Sequence, residues 1–268
     1  MEHRGLDAYG YFEREGSLGQ VQDEFREVVA AARERIVEAY GRRLHSAYLY
    51  GSVPRGAARP GRSDLDLLLA LNHEPAAEDR DTAEVLARGL DEQFAEIDGV
   101  GLLLFGKDTL LSEAERFDLG WFLACLCTPL LGADLAEHLP RYRPDSLLAR
   151  ETNGDLAERL PAWRAKAQTA STPEELRKLS RAWARQLVRT GFTLVMPRWG
   201  GWTSDLTESA EVFGLYYPER AAQMRAAAAV ALDPVADPAV LRAYVEDLGP
   251  WLADEYTARH GTKTPRSA

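Results

Sequence analysis

The segment that most constrains this chain runs from Ser46 to Leu71. An apolar stretch, Ser46 to Tyr50, ends at Gly51-Ser52-Val53-Pro54-Arg55-Gly56, and a second begins at Ser63-Asp64-Leu65-Asp66-Leu67-Leu68-Leu69. Side chains two apart in an extended strand share a side, so Asp64 and Asp66 project together while Leu65 and Leu67 face a core. Two adjacent acids at the head of a buried run repel each other unless a cation sits between them, and hard carboxylate oxygens suit Mg²⁺. Gly51 lets the backbone turn sharply and approach a ligand. Ser52 offers a hydroxyl and an N–H, and the residues after it can open a short helix whose free N–H groups attract anions. An anion cradle beside a metal-binding pair is what a nucleoside triphosphate needs. Taken singly, Gly-Ser is a common turn and Asp-Leu-Asp an edge strand with solvated acids; the spacing and the following Leu67–Leu71 run favour a site.

These residues resemble the signature of the DNA polymerase β-type nucleotidyltransferase superfamily: hydrophobic-Gly-Ser, a spacer, then hydrophobic-Asp-hydrophobic-Asp. The resemblance implies that Ser52 contacts nucleotide phosphate, with Gly51, Arg55 and Ser63 beside it as nucleotide-binding candidates. It implies that Asp64 and Asp66 hold catalytic Mg²⁺, two ions with ATP as co-substrate, and that a third carboxylate stands on a neighbouring strand. After an expected helix over Asp81 to Phe94, the run Ala95 to Phe105 reads as that strand. The expected place for the acid is near Val100 or Gly101, neither of which carries one. Asp98 is the first choice for the third catalytic and metal-binding acid and Glu96 the second, since both share a strand face with position 100; the alternative makes both solvated loop residues.

The chain has 268 residues, so two domains are expected, each able to bury its own core. Hydrophobic and charged fractions of 46% and 28% are those of a globular protein. No long uncharged apolar run and no basic-then-apolar leader is present, which places the protein in the cytoplasm and away from membranes. Cys125 and Cys127 are too close for a good disulfide and lack partner ligands for zinc, so they read as core residues. A net charge of −10 argues against long nucleic acids, whose binding needs a basic face, and fits a small cationic acceptor.

An amphipathic helix is expected over Ser17 to Tyr40 and a helical stretch over Glu113 to Leu126, followed by a break at Thr128-Pro129-Leu130-Leu131-Gly132. The domain boundary is placed there, giving an N-terminal domain over residues 1–130 and a C-terminal one over 131–268. Beyond it the pattern is helical: Leu147 to Lys166, Pro173 to Thr190, Leu206 to Leu215, Pro218 to Leu232 and Pro238 to His260. Thr172-Pro173-Glu174-Glu175 is a helix N-terminal signal. The fold class expected is an α/β (α+β) nucleotidyltransferase domain with a small mixed sheet, followed by an all-α helical bundle.

Lys178, Arg181, Arg185 and Arg189 recur at helical spacing. Such a stripe is commonly a solvated face, and Arg185 and Arg189 are the candidates for reaching triphosphate across a domain cleft. Trp199 and Trp202 with Asp205 form a candidate acceptor site for a cationic, hydroxylated ligand; the alternative makes the tryptophans packing anchors and Thr203 or Ser204 a helix cap. The layout resembles the aminoglycoside nucleotidyltransferases of the streptomycin/spectinomycin type, whose helical domain supplies basic residues to ATP and aromatic and acidic residues to the antibiotic. A lysine of those relatives appears here as Ser204, before Asp205. The resulting expectation is transfer of a nucleoside monophosphate, AMP from ATP, to a hydroxyl of an aminoglycoside-like molecule, by a monomer or homodimer. Two alternatives are a toxin-like enzyme acting on tRNA or protein, and a nucleotide-binding module with a degenerate site.

Overall fold

The computed structural model describes residues 4–265. Its contacts divide the chain into two compact units, one over Glu13–Arg141 and one that joins the residues through Phe12 to those from Tyr142 onward.

The first unit is a four-stranded mixed sheet with helices. In chain order it contains α1 (Arg26–Tyr40), β1 (Leu44–Tyr50), β2 (Leu65–Leu71), α2 (Ala77–Gln93), β3 (Val100–Gly106), α3 (Lys107–Leu110), α4 (Leu119–Leu126) and β4 (Thr128–Gly132). The sheet order is β3-β2-β1-β4. Strand β1 runs antiparallel to both β2 and β4, and β2 runs parallel to β3, with α2 as the crossover that a parallel pair requires.

The near-continuous leucine run of β2 is explained by burial on both faces. Leu65, Leu67, Leu69 and Leu71 join Ala47 and Leu49 of β1 and Val28, Ala32 and Ile36 of α1 in one core cluster. Leu68 and Ala70 face the other way, with Tyr48, Leu123 of α4 and Cys127. A register slip of one residue would exchange the two faces and drive Asp66 into the α1 core, so the pairing is strongly specified.

Several sequence expectations need correction. The helix expected from Ser17 begins only at Arg26, preceded by two short 3₁₀ turns, Leu18–Gln20 and Asp23–Phe25, that bury Val21 and Phe25. The stretch 112–118 is a series of turns, and α4 is correspondingly short. Thr128–Gly132 is not a break but the edge strand β4, a position where Pro129 can sit without costing the sheet an interior hydrogen bond. Both cysteines are buried and free, as expected of core residues.

The second unit is all helical apart from its N-terminal segment: α5 (Ser146–Asn153), α6 (Leu156–Thr169), α7 (Pro173–Trp199), α8 (Leu206–Tyr216), α9 (Ala221–Leu232), α10 (Pro238–Ala243) and α11 (Gly249–His260). The Thr172 signal acts as read: its Oγ accepts from the Glu175 N–H at 3.2 Å, and the Glu175 carboxylate accepts from the Thr172 N–H at 3.1 Å. Those hydrogen bonds hold the Glu175 carboxyl below its ordinary range. Helix α7 continues nine residues beyond the expected end at Thr190, to Trp199, and closes on Gly200 in the left-handed region. The stretch expected as one helix from Leu147 is two, parted at Gly154-Asp155, and α10 and α11 are joined by a π-helical stretch, Tyr244–Leu248, just ahead of Pro250. No described helix is long and apolar enough to cross a membrane.

Leu69→Ala, in the doubly covered strand, is expected to cost the first unit about 2–5 kcal/mol. Thr172→Ala removes an exposed cap and should cost the helical unit only about 1 kcal/mol. Denaturant midpoints followed separately for the two units check both. Burial pushes the Cys125 thiol up to about 12 and Cys127 well above its ordinary range. At pH 8 neither should react with a thiol reagent until denaturant is added; rapid labelling of the native protein would contradict the fold around α4.

Candidate functional site

The motif residues converge where β1 ends and β2 begins. Tyr50, the last residue of β1, is the register partner of Asp66, and Asp66 is in turn the partner of Gly101 on β3. The three therefore share one row and one side of the sheet. Asp66 is half-buried, on the face where Tyr50 packs edge-on against Phe122 of α4 with ring centres 5.0 Å apart.

Gly51 has φ +79°, a conformation that side chains rarely adopt, and the Asp66 carboxylate lies directly over it. A Cβ on Gly51 would collide with Asp66 Oδ2, and one on Gly101 would stand 2.6 Å from Asp66 Oδ1 and 3.7 Å from Tyr50 Oη. Two glycines thus clear the space in which this carboxylate sits against the turn that carries Ser52. Asp64, half-buried and just ahead of β2, points toward the β3 side; its Oδ1 is 3.8 Å from where a Cβ of Gly99 would be.

Ser52 opens a hydrogen-bonded turn and not the short helix expected: its carbonyl accepts from the Ala57 N–H at 3.0 Å, and the Val53 carbonyl accepts from the Gly56 N–H at 3.2 Å. Buried Val53 and Pro54 root the turn in the unit, and the Ser17 N–H donates to the Pro54 carbonyl at 2.9 Å. Arg55 reaches back, its Nε donating to the Gly51 carbonyl at 2.8 Å and its Nη1 standing 3.5 Å from Glu15 Oε1. In this arrangement Arg55 braces the turn. The Ser63 hydroxyl accepts from the Arg59 N–H at 2.9 Å, closing the loop before Asp64.

The strand expected from Ala95 begins at Val100, because Gly99, at φ +140°, interrupts the extended run. Glu96 and Asp98 therefore lie in the connection before β3 and do not share a strand face with position 100; Glu96 is half-buried and Asp98 exposed. Asp98 remains close in the backbone to the paired acids, since its N–H donates to the Ser63 carbonyl at 3.1 Å. Among the described residues no three His, Cys, Asp or Glu side chains gather as a metal-holding group. Two carboxylates, Asp64 and Asp66, remain as a hard-oxygen donor pair, whose chemistry suits a cation such as Mg²⁺.

The remaining candidates belong to the helical unit. Arg185 is half-buried and Arg189 exposed, both on α7. Trp199 ends α7, with the Arg4 guanidinium 5.0 Å over its ring and Phe192 edge-on at 5.7 Å. Trp202 sits between Phe12 and Phe192, at 5.8 and 5.5 Å, and its backbone N–H donates to the Arg4 carbonyl at 2.8 Å. Both tryptophans thus serve as packing anchors. Asp205, and not Thr203 or Ser204, caps α8, accepting from the Glu208 N–H at 2.8 Å. Glu15 went unnoticed in the sequence, because an isolated glutamate far upstream of the motif carries no local signal, and Gly101 entered only as a place where an expected acid is missing.

Residues 30–106, from within α1 to the end of β3, match the family model of the nucleotidyltransferase domain. No curated protein matches the sequence significantly. Among solved structures the chain is similar to spectinomycin adenyltransferase AAD(9) from Enterococcus faecialis, crystallised with ATP and spectinomycin. The likeness covers 86% of this chain and 98% of that one, with a TM-score of 0.54 and 14% identity, and is therefore one of fold. With the Gly51-Ser52 turn and the Asp64–Asp66 pair inside the matched segment, residues 30–106 carry a nucleotidyltransferase domain, and the chain shares the fold of the spectinomycin adenyltransferase.

Proposed function

We propose that this enzyme moves a nucleoside monophosphate, AMP from ATP, to a hydroxyl of a small aminoglycoside-like molecule and releases pyrophosphate in an Mg²⁺-dependent reaction. The observation that carries the proposal is the meeting of the Asp66 carboxylate with the Gly51-Ser52 turn, enforced by the β1–β2–β3 register. It puts a carboxylate of the kind that holds a metal beside a glycine-serine turn of the kind that binds anions, which supports this reading. The net charge of −10 supports a cationic acceptor over a nucleic acid. The solved relative's ATP and spectinomycin support the same substrate classes.

In this reading Ser52 and the N–H groups of its turn hold the triphosphate, and Arg55, anchored on Glu15, keeps the Gly51 carbonyl turned away from the phosphates. Asp64 and Asp66 hold Mg²⁺, which neutralises phosphate charge when bound. The acceptor oxygen attacks the α-phosphorus, the bond to the bridging oxygen breaks, and pyrophosphate leaves. The hydroxyl proton passes to a carboxylate beside Asp64, for which Asp98 is the first candidate and Glu96 the second. A second reading, a nucleotide-binding protein without transfer activity, is favoured by one observation: Gly101 occupies the position in register with Asp66 where a third acid is expected.

Incubation with each α-labelled nucleoside triphosphate, Mg²⁺ and a panel of aminoglycosides, spectinomycin and tRNA should place label on a small molecule, preferentially from ATP, with release of pyrophosphate. ATP binding with no transfer to any acceptor would favour the second reading. Asp64→Asn and Asp66→Asn should each lower transfer roughly a thousandfold, as expected for loss of several kcal/mol of metal-derived stabilisation, with circular dichroism unchanged. Asp98→Asn should reduce kcat by about a hundredfold or more if it takes the proton; equal full activity in Asp98→Asn and Glu96→Gln would remove both from the chemistry.

A further inference from the structure

Two metal ions working side by side sit about 3.5–4 Å apart and clamp the attacking and leaving oxygens together. The donor set here is one-sided. Asp64 and Asp66 come from the head of β2, whereas the residue in register with Asp66 on β3 is Gly101, between Val100 and Leu102. The space above Gly101 is already taken by Asp66 itself, whose Oδ1 is 2.6 Å from the position of a Cβ there. Glu96 and Asp98 lie before the strand, and among the described residues no group of three acid, histidine or cysteine side chains forms a metal-holding cluster.

We infer that this site holds one divalent cation, not two, and that the glycine at 101 sets that number. The inference rests on the proposed nucleotidyl transfer at Asp64 and Asp66. Mg²⁺ is commonly bound through one or two carboxylates plus substrate phosphates and water, and two aspartates supply charge enough to balance one such ion. A second dication would have no protein carboxylate of its own. With a single ion, removal of the acceptor proton falls to a side chain of the protein.

The test uses the full chain, Mn²⁺ as the metal and α,β-methylene ATP as a nucleotide that cannot be cleaved at the α-phosphorus. Electron paramagnetic resonance counts bound Mn²⁺ and reports whether two ions are coupled. The wild-type protein should bind one Mn²⁺ per bound analogue and show no pair coupling. Gly101→Asp should turn the Asp66 carboxylate aside, supply the missing ligand and raise the count to two, with coupling. Two ions per analogue in the wild type would overturn the inference while leaving the proposed function standing. A folded Gly101→Asp that still binds one ion would overturn the role given to position 101. If the variant fails to fold, the wild-type count alone decides. Failure of the analogue to bind the wild-type protein would take down the functional reading and this inference together.

Discussion

Everything at the site depends on the pairing of β2 between β1 and β3. The strand is apolar and covered on both faces, so sliding it by one residue would exchange its two apolar sets and drive Asp66 into the α1 core. That penalty locks Tyr50, Asp66 and Gly101 into one row. The acid is thus positioned by the hydrophobic core beneath it, with little dependence on the loops around it. The two glycines then decide where its carboxylate can go, because a Cβ at either Gly51 or Gly101 would stand against it.

The loop between β1 and β2 is tied down by a different kind of force. Its turn is rooted by buried Val53 and Pro54, and its first carbonyl is held by Arg55, which leans on Glu15. The Arg55–Glu15 pair is partly exposed and adds little to stability. Its effect is orientational, since it fixes the direction of the Gly51 carbonyl.

What the sequence disclosed follows the range of the interactions. The Gly51-Ser52 and Asp64–Asp66 patterns and the Thr172–Glu175 box are complete within a few residues, and a local reading finds them. Edge strand β4 was missed because Pro129 and Gly132 look like a break unless the position at the sheet edge is known. Glu96 and Asp98 were given a strand face because the apolar alternation runs on through Ile97, whereas Gly99 ends the extended run. The tryptophans at 199 and 202 were ambiguous because two of their partners, Arg4 and Phe12, lie far upstream, at the other side of the whole sheet unit in sequence.

That last separation bears on how the protein is made. The unit over Glu13–Arg141 is one continuous segment, so its sheet can close as soon as β4 has been synthesised. The helical unit draws its first residues from upstream of that segment. The Arg4 guanidinium donates to the Trp199 carbonyl across 195 positions of sequence. Its N-terminal segment must therefore wait, unpaired, while the entire sheet unit and then α5 to α7 are made. Contacts of such long sequence separation form slowly, so the last step of folding should be the docking of residues 4–12 around Trp199 and Trp202.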